Sequence, residues 1–345
     1  MKIENEQDMK SVLANYINEQ IIKADHIEVV QFFKASGGWS DDVFILKVRW
    51  GENDSKKEQN YVVRKKKDGP MIEEKDFLRQ FNILDILSKD TNLPVPEVYC
   101  YEKDKSIIGN EFIVMEKIEG KSYVPWSIEG RQFFKKASKG NIRKEFVSYL
   151  AALHSLDYHS LLLDHHLSVM DSKIYLDRKI EELEGLYQQH KFIEDPLITD
   201  AFEWLKKNKP EPIPLAVIHN DYRTGNLLYE DDIVTGILDW ESIEIGDPRL
   251  DIGYVCSKSN RMDSPLMCYL ISREEFYSLY KQDVNFDFDE KDIYYFEVYH
   301  QLRFYMISLL AGDIFVRKGS TDLRMVRQGF RSGLMKHMLA ELLGY

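Results

Sequence analysis

The chain has 345 residues, 44% of them hydrophobic and 12% aromatic, and carries a formal net charge of −12. This size and composition suit a folded protein with room for two lobes and exclude a disordered chain, and the acidic balance argues against nucleic acid as a partner, since phosphate backbones call for a basic face. No stretch approaches the ~18 uninterrupted apolar residues of a membrane span. Met1-Lys2-Ile3-Glu4-Asn5-Glu6 lacks the apolar core of a secretion signal, and Cys100, Cys256 and Cys268 are too scattered for a disulfide framework or a C-x-x-C metal site, so the expected location is the cytoplasm, with no membrane contact.

In chain order, an apolar stripe of Met9, Val12, Leu13, Tyr16 and Ile17 predicts a helix from Asp8 to Ile22. Three β-rich runs follow, Ile27 to Ala35, Val43 to Trp50 and Gln59 to Lys66, separated by Ser36-Gly37-Gly38-Trp39-Ser40 and by the polar turn Gly51-Glu52-Asn53-Asp54-Ser55. A helix from Ile72 to Leu87 and strands over Glu97 to Glu102 and Glu111 to Glu116 complete the first part. The apolar stripe of Ile142, Phe146, Tyr149, Leu150 and Leu153 then predicts a helix ending near Leu153, followed by helices from Ser172 to His190 and from Leu197 to Lys207. The strand Leu215 to Ile218 and a hairpin of Leu227 to Tyr229 with Ile233 to Leu238 come next. Three helices close the chain, Arg273 to Lys281, Glu290 to Arg317 and Asp322 to Leu343.

The densest signal lies between that strand and the hairpin, in His219-Asn220-Asp221-Tyr222-Arg223-Thr224-Gly225-Asn226, with Asp239-Trp240-Glu241 at the hairpin's end. In phosphoryl transfer an Asp accepts the proton of the acceptor hydroxyl, while an Asn four to five residues further on and a second Asp hold Mg²⁺, a hard ion that takes oxygen ligands. Asp221, Asn226 and Asp239 fit these roles in order. His219 follows an apolar strand and is expected to buttress the loop, and Glu241 to orient the metal-binding segment. Asp247 and Asp251 are ambiguous: one of them either caps the following helix and steadies the loop or reaches toward a cationic acceptor.

From Val217 to Val255, through Ile245-Gly246-Asp247-Pro248-Arg249-Leu250-Asp251, the chain resembles the aminoglycoside phosphotransferase and choline kinase-like family, and in H-N-D-Y-R-x-G-N-L and L-D-W-E the phosphotransferase-type domains found beside acyl-CoA dehydrogenases. The resemblance implies an α+β, two-lobe protein-kinase-like fold. A small antiparallel sheet lobe with one main helix would occupy residues 1–118, and a larger, mostly helical lobe with the catalytic loop and acceptor site residues 119–345. It implies ATP, with GTP left open, and Mg²⁺. Gly37, Gly38 and Ser40 would contact the phosphates, and the Glu116 carbonyl and Ile118 amide the adenine. Other kinases pair a strand Lys with a helix Glu, whereas the aligned positions here read Arg64 and Gln80. Arg64 would clamp the phosphates with Gln80 orienting it, or else Arg64-Lys65-Lys66-Lys67 is a solvated basic strand. The readings that remain open are a small-molecule kinase of unspecified acceptor, a choline- or ethanolamine-type kinase, and a nucleotide-binding pseudokinase that regulates a partner. The oligomeric state is not legible.

Overall fold

The computed structural model describes residues 6–35, 41–51, 56–67 and 76–345. By contacts the chain divides into two compact units, Met1–Gly120 with Thr235–Glu241, and Lys121–Val234 with Ser242–Tyr345. The expected boundary at 118/119 therefore falls at 120/121, and the segment that carries Asp239 belongs to the first unit rather than the second. The cause is local: Thr235 Oγ1 donates to the Glu119 carbonyl at 2.7 Å and the Ile237 N–H to the Pro94 carbonyl at 2.7 Å.

The first unit opens with α1 (Glu6–Ile17), extended by a short π-helical turn, Asn18–Ile22. A five-stranded antiparallel sheet follows, built from β1 (Ile27–Lys34), β2 (Asp41–Trp50), β3 (Lys57–Lys66), β4 (Val98–Glu102) and β5 (Phe112–Glu116) in the order β1-β2-β3-β5-β4. Strand alternation sends Phe44, Leu46 and Val48 of β2 and Tyr61 and Val63 of β3 into one core with Leu13 and Ile17 of α1. The opposite parity carries Asp41, Val43, Val62 and Arg64 to the other face. The helix α2 (Phe77–Asp90) starts where the Asp76 side chain accepts from the Arg79 N–H, and α3 (Lys105–Ile108) is a single turn between β4 and β5.

The second unit is mostly helical. It comprises α4 (Ile128–Ala137), α5 (Ile142–His154), α6 (Ser172–His190), α7 (Pro196–Lys207), α8 (Arg249–Cys256), α9 (Lys258–Arg261), α10 (Arg273–Asp283), α11 (Glu290–Val316), α12 (Leu323–Phe330) and α13 (Ser332–Leu343). Between α7 and α8 run β6 (Ala216–Ile218), the hairpin of β7 (Leu227–Glu230) and β8 (Ile233–Ile237), and β9 (Glu244–Gly246), which pairs antiparallel with β6. The core gathers side chains of α6, α7, α8, α11 and α13, among them Leu183, Phe202, Leu250, Phe296, Leu302 and Leu339. The expected single helix from Asp322 to Leu343 is two, broken at Arg331. No described helix is long and apolar enough to cross a membrane.

Candidate active site

The loop after β6 is built from buried polar groups. Asn220 sits in the left-handed region at φ 63°, a conformation that Asn tolerates. The loop is pinned from below by Asp251 of α8, fully buried, whose Oδ1 accepts the Asn220 N–H at 2.7 Å and whose Oδ2 accepts the His219 N–H at 2.7 Å. His154 Nε2 meets the same Oδ2 at 3.1 Å, and its Nδ1 lies 2.5 Å from the Tyr280 hydroxyl. Burial alone would raise the Asp251 pKa, but the hydrogen bond and charge of His154, with His219, hold it below the usual carboxylate range. Arg303 Nη1 donates to the Asn220 carbonyl at 3.2 Å, Tyr222 Oη to the Phe146 carbonyl at 2.8 Å, and Thr224 Oγ1 to the Cys268 carbonyl at 3.0 Å.

This frame presents Asp221. Its N–H donates to His219 Nδ1 at 3.2 Å, which places His219, wholly buried, as a support of the loop. Asp221 Oδ1 accepts from Arg223 Nε at 3.2 Å and from the Tyr254 hydroxyl, and Oδ2 accepts from Asn226 Nδ2 at 2.6 Å. A carboxylate offers about four lone-pair sites. Three are taken, and the one that remains is on Oδ2, where a hydroxyl proton can be received. Tyr254 stays a phenol and hence a donor, since burial first and the Asp221 charge second push its pKa well above the ordinary value. Asp247 is committed to Arg249, accepting its backbone N–H at 2.9 Å and its guanidinium at 2.7 to 3.3 Å. Both Asp247 and Asp251 thus serve the frame.

Within the first unit, Asp239 is exposed and left-handed at φ 62°, next to Trp240, which is buried and donates from Nε1 to the Ile237 carbonyl at 2.8 Å. Arg64 Nη2 lies 2.5 Å from Asp41 Oδ2 and 3.4 Å from Glu241 Oε2, and its Nε 3.2 Å from Asp41 Oδ2. Burial disfavours the guanidinium charge, but Asp41, Asp239 and Glu241 outweigh it and raise the Arg64 pKa. The expected Gln80 to Arg64 hydrogen bond is not formed: the ring of Phe77, first residue of α2, lies 6.0 Å from the guanidinium, and the strand carboxylate of Asp41 takes the donors. Glu116 is anchored through its N–H to the Glu97 carbonyl at 2.8 Å, and Lys117 N–H to the Asn60 carbonyl at 3.3 Å, which fixes the chain just before Ile118. Gly37, Gly38 and Ser40 lie outside the described residues.

Among the described residues no cluster of three or more His, Cys, Asp or Glu side chains forms a metal cage. Each unit offers one oxygen-bearing side chain of the kind a hard ion takes beside phosphates. Asn226 turns Nδ2 to the carbonyl and carboxylate of Asp221 at 2.9 and 2.6 Å, which orients its amide, and Asp239 is an exposed carboxylate.

Three supports escaped sequence reasoning. Tyr254 stands three residues after Asp251, one helical turn along α8, and that spacing is the signal that could have found it. Asp41 is one of two acids directly after Ser40. Arg303 lies inside the long α11 with nothing in the local pattern to mark it.

Residues 34–281 match the model of the phosphotransferase enzyme family, APH. Acyl-CoA dehydrogenase family member 11 of Rattus norvegicus is 30% identical over 254 residues, 72% of this chain but 31% of the rat protein. The chain spans about three-tenths of the length of the curated relatives it matches first. Among solved structures, a Ralstonia eutropha protein assigned as an aminoglycoside phosphotransferase superposes with a TM-score of 0.71 at 22% identity, covering 96% of this chain and 97% of that one. Plasmodium vivax ethanolamine kinase does so with 0.62 at 17% identity, covering 97% and 89%. The fold is the two-lobe, kinase-like α+β architecture that those structures share, and the chain belongs to the phosphotransferase enzyme family.

Proposed function

We propose that the protein is an ATP-dependent O-phosphotransferase that moves the γ-phosphoryl group to a hydroxyl of a small molecule. The observation that carries this reading is the Asp221 carboxylate, fixed by Asn226, Arg223 and Tyr254 with one lone-pair site left on Oδ2. Asn226 and Asp239 supply the protein oxygens for Mg²⁺, which when bound neutralises charge on the β- and γ-phosphates. Asp221 orients the acceptor hydroxyl and takes its proton, Arg64 binds phosphate oxygens, and the backbone at Glu116 and Ile118 meets the adenine. The frame of Asp251, His154 and His219 keeps the loop from relaxing as the proton moves, which is positioning done in advance of the reaction.

The test is ADP or GDP release from Mg·ATP or Mg·GTP across alcohols, amino alcohols, sugars, aminoglycosides, macrolides and hydroxyacyl thioesters. One acceptor class should rise above the acceptor-free rate, and Asp221→Asn should lower its turnover by ~10²–10⁴-fold with nucleotide affinity close to wild type, as for loss of a general base. Nucleotide binding without turnover on every acceptor would make the chain a binding module, and near-normal turnover in the variant would end the assignment of Asp221.

A further inference from the structure

We infer that Asp41 is the positioning residue for Arg64, holding from the neighbouring strand the phosphate-binding side chain that a helix glutamate holds in other kinases. This rests on the functional reading above. In the antiparallel register of β2 and β3, Val43 stands opposite Arg64, so Asp41, two residues along, is its diagonal neighbour on the same face. The Asp41 side chain is 3% exposed and its Oδ2 takes Nε and Nη2 of Arg64 at 3.2 and 2.5 Å. A carboxylate that deep persists when it is paired. Both contacts fall on one edge of the guanidinium fork, and Glu241 adds to the same Nη2 at 3.4 Å. The Nη1 donors keep a defined direction and have no protein partner among the described residues, which leaves them to meet phosphate oxygens.

The helix position does not fill the role. Phe77 faces the guanidinium, and Gln80, one turn further along α2, is 1% exposed with neither its side-chain oxygen nor its nitrogen hydrogen-bonded. An amide in that place brings no charge to balance Arg64. The balancing carboxylate stands on β2 instead, immediately after the segment expected to touch the phosphates.

A double-mutant cycle on the full chain, read as Mg·ADP affinity by calorimetry, tests this. Asp41→Asn should weaken Mg·ADP by about tenfold or more, Arg64→Ala by at least as much, and the double variant no further than Arg64→Ala alone, because Asp41 acts through Arg64. Unchanged or tighter binding in Asp41→Asn would overturn the inference, the second by showing that Asp41 competes with phosphate for Arg64. So would effects that multiply in the double variant, the mark of a general packing role. Wild type that does not bind Mg·ADP would overturn the functional reading together with it, which separates the two failures. Should Asp41→Asn not fold, the Nε–H resonance of Arg64 in wild type, identified by its loss in Arg64→Lys, must stay protected from solvent exchange when Mg·ADP is added; loss of protection would show the pair breaking on binding.

Discussion

Replacing Asp251 by Asn exchanges one carboxylate oxygen for an NH₂ group, at a place where two backbone N–H groups and His154 converge on two oxygens. One amide oxygen can satisfy one of the two N–H groups, and the other then faces a donor in a buried site. Leaving such a group unsatisfied costs about 1–3 kcal/mol. Asp251→Asn should therefore lower unfolding stability by about that much and reduce turnover while Mg·ADP affinity stays level, measured by urea unfolding and by calorimetry on one preparation. Wild-type stability in the variant would mean that the loop holds itself. At this scale the candidates Asp221, Asn226 and Asp239 stand out in the sequence, because a short stretch of chain carries them in a set order. Asp41 and Tyr254 do not, since their partners, Arg64 and Asp221, lie far along the chain and only strand register or helix packing joins them.

Among the elements, α8 carries both Asp251 and Tyr254, so its seat against α11 controls the loop. That seat is a glycine. A Cβ on Gly253 would lie 2.4 Å from Phe296 Cβ and 3.0 Å from its backbone carbon, neither of which can swing away. Gly253→Ala should push α8 off α11, costing about 1–3 kcal/mol as overpacked cores do, and should lower turnover as well. Gly333→Ala on α13 makes the contrast, since nothing lies within 4 Å of its added Cβ and helix propensity favours Ala by up to about 1 kcal/mol. Thermal unfolding of the two variants decides the matter; equal midpoints would show that α8 has slack. The sequence pattern sets no bounds on the helix after Asp247 because every residue from Arg249 to Cys256 is buried and no polar face gives it a period. The α5, α6 and α7 helices have that contrast and were read with nearly their observed bounds. The false continuity of α12 and α13 has a packing cause: Gly329 fits against Gly312 of α11, where an added Cβ would be 2.9 Å from the Gly312 Cα, and α13 must then turn to bury Met335, Met338 and Leu339.

For the molecule as a whole, the order of elements along the chain was legible, but the grouping of residues 235–241 with the first unit was not, because it depends on hydrogen bonds to Pro94 and Glu119 that no local pattern encodes. Response to acid is another property of the whole chain, and here one buried group dominates an argument that the net charge alone cannot make. His300 of α11 is 1% exposed, donates from Nε2 to the Leu250 carbonyl at 2.8 Å and packs edge-on to Tyr254. Burial, then the Arg303 charge, depress its pKa to about 3. An unfolded His titrates near 6.5. Above that pH neither state is charged and the full stability is present; below it the unfolded chain takes up a proton that the native chain refuses. Stability must then fall by about 1.4 kcal/mol per pH unit until the folded pKa is reached. Asp251, also held below its ordinary pKa, acts in the same direction but only in stronger acid. Between pH 7.5 and 5.0 wild type should lose about 2 kcal/mol more than His300→Gln, whose amide can still donate to Leu250 and does not titrate. Urea unfolding of both proteins at the two pH values measures the difference, and parallel losses would show that His300 is already protonated in the native chain or that it is reached by water.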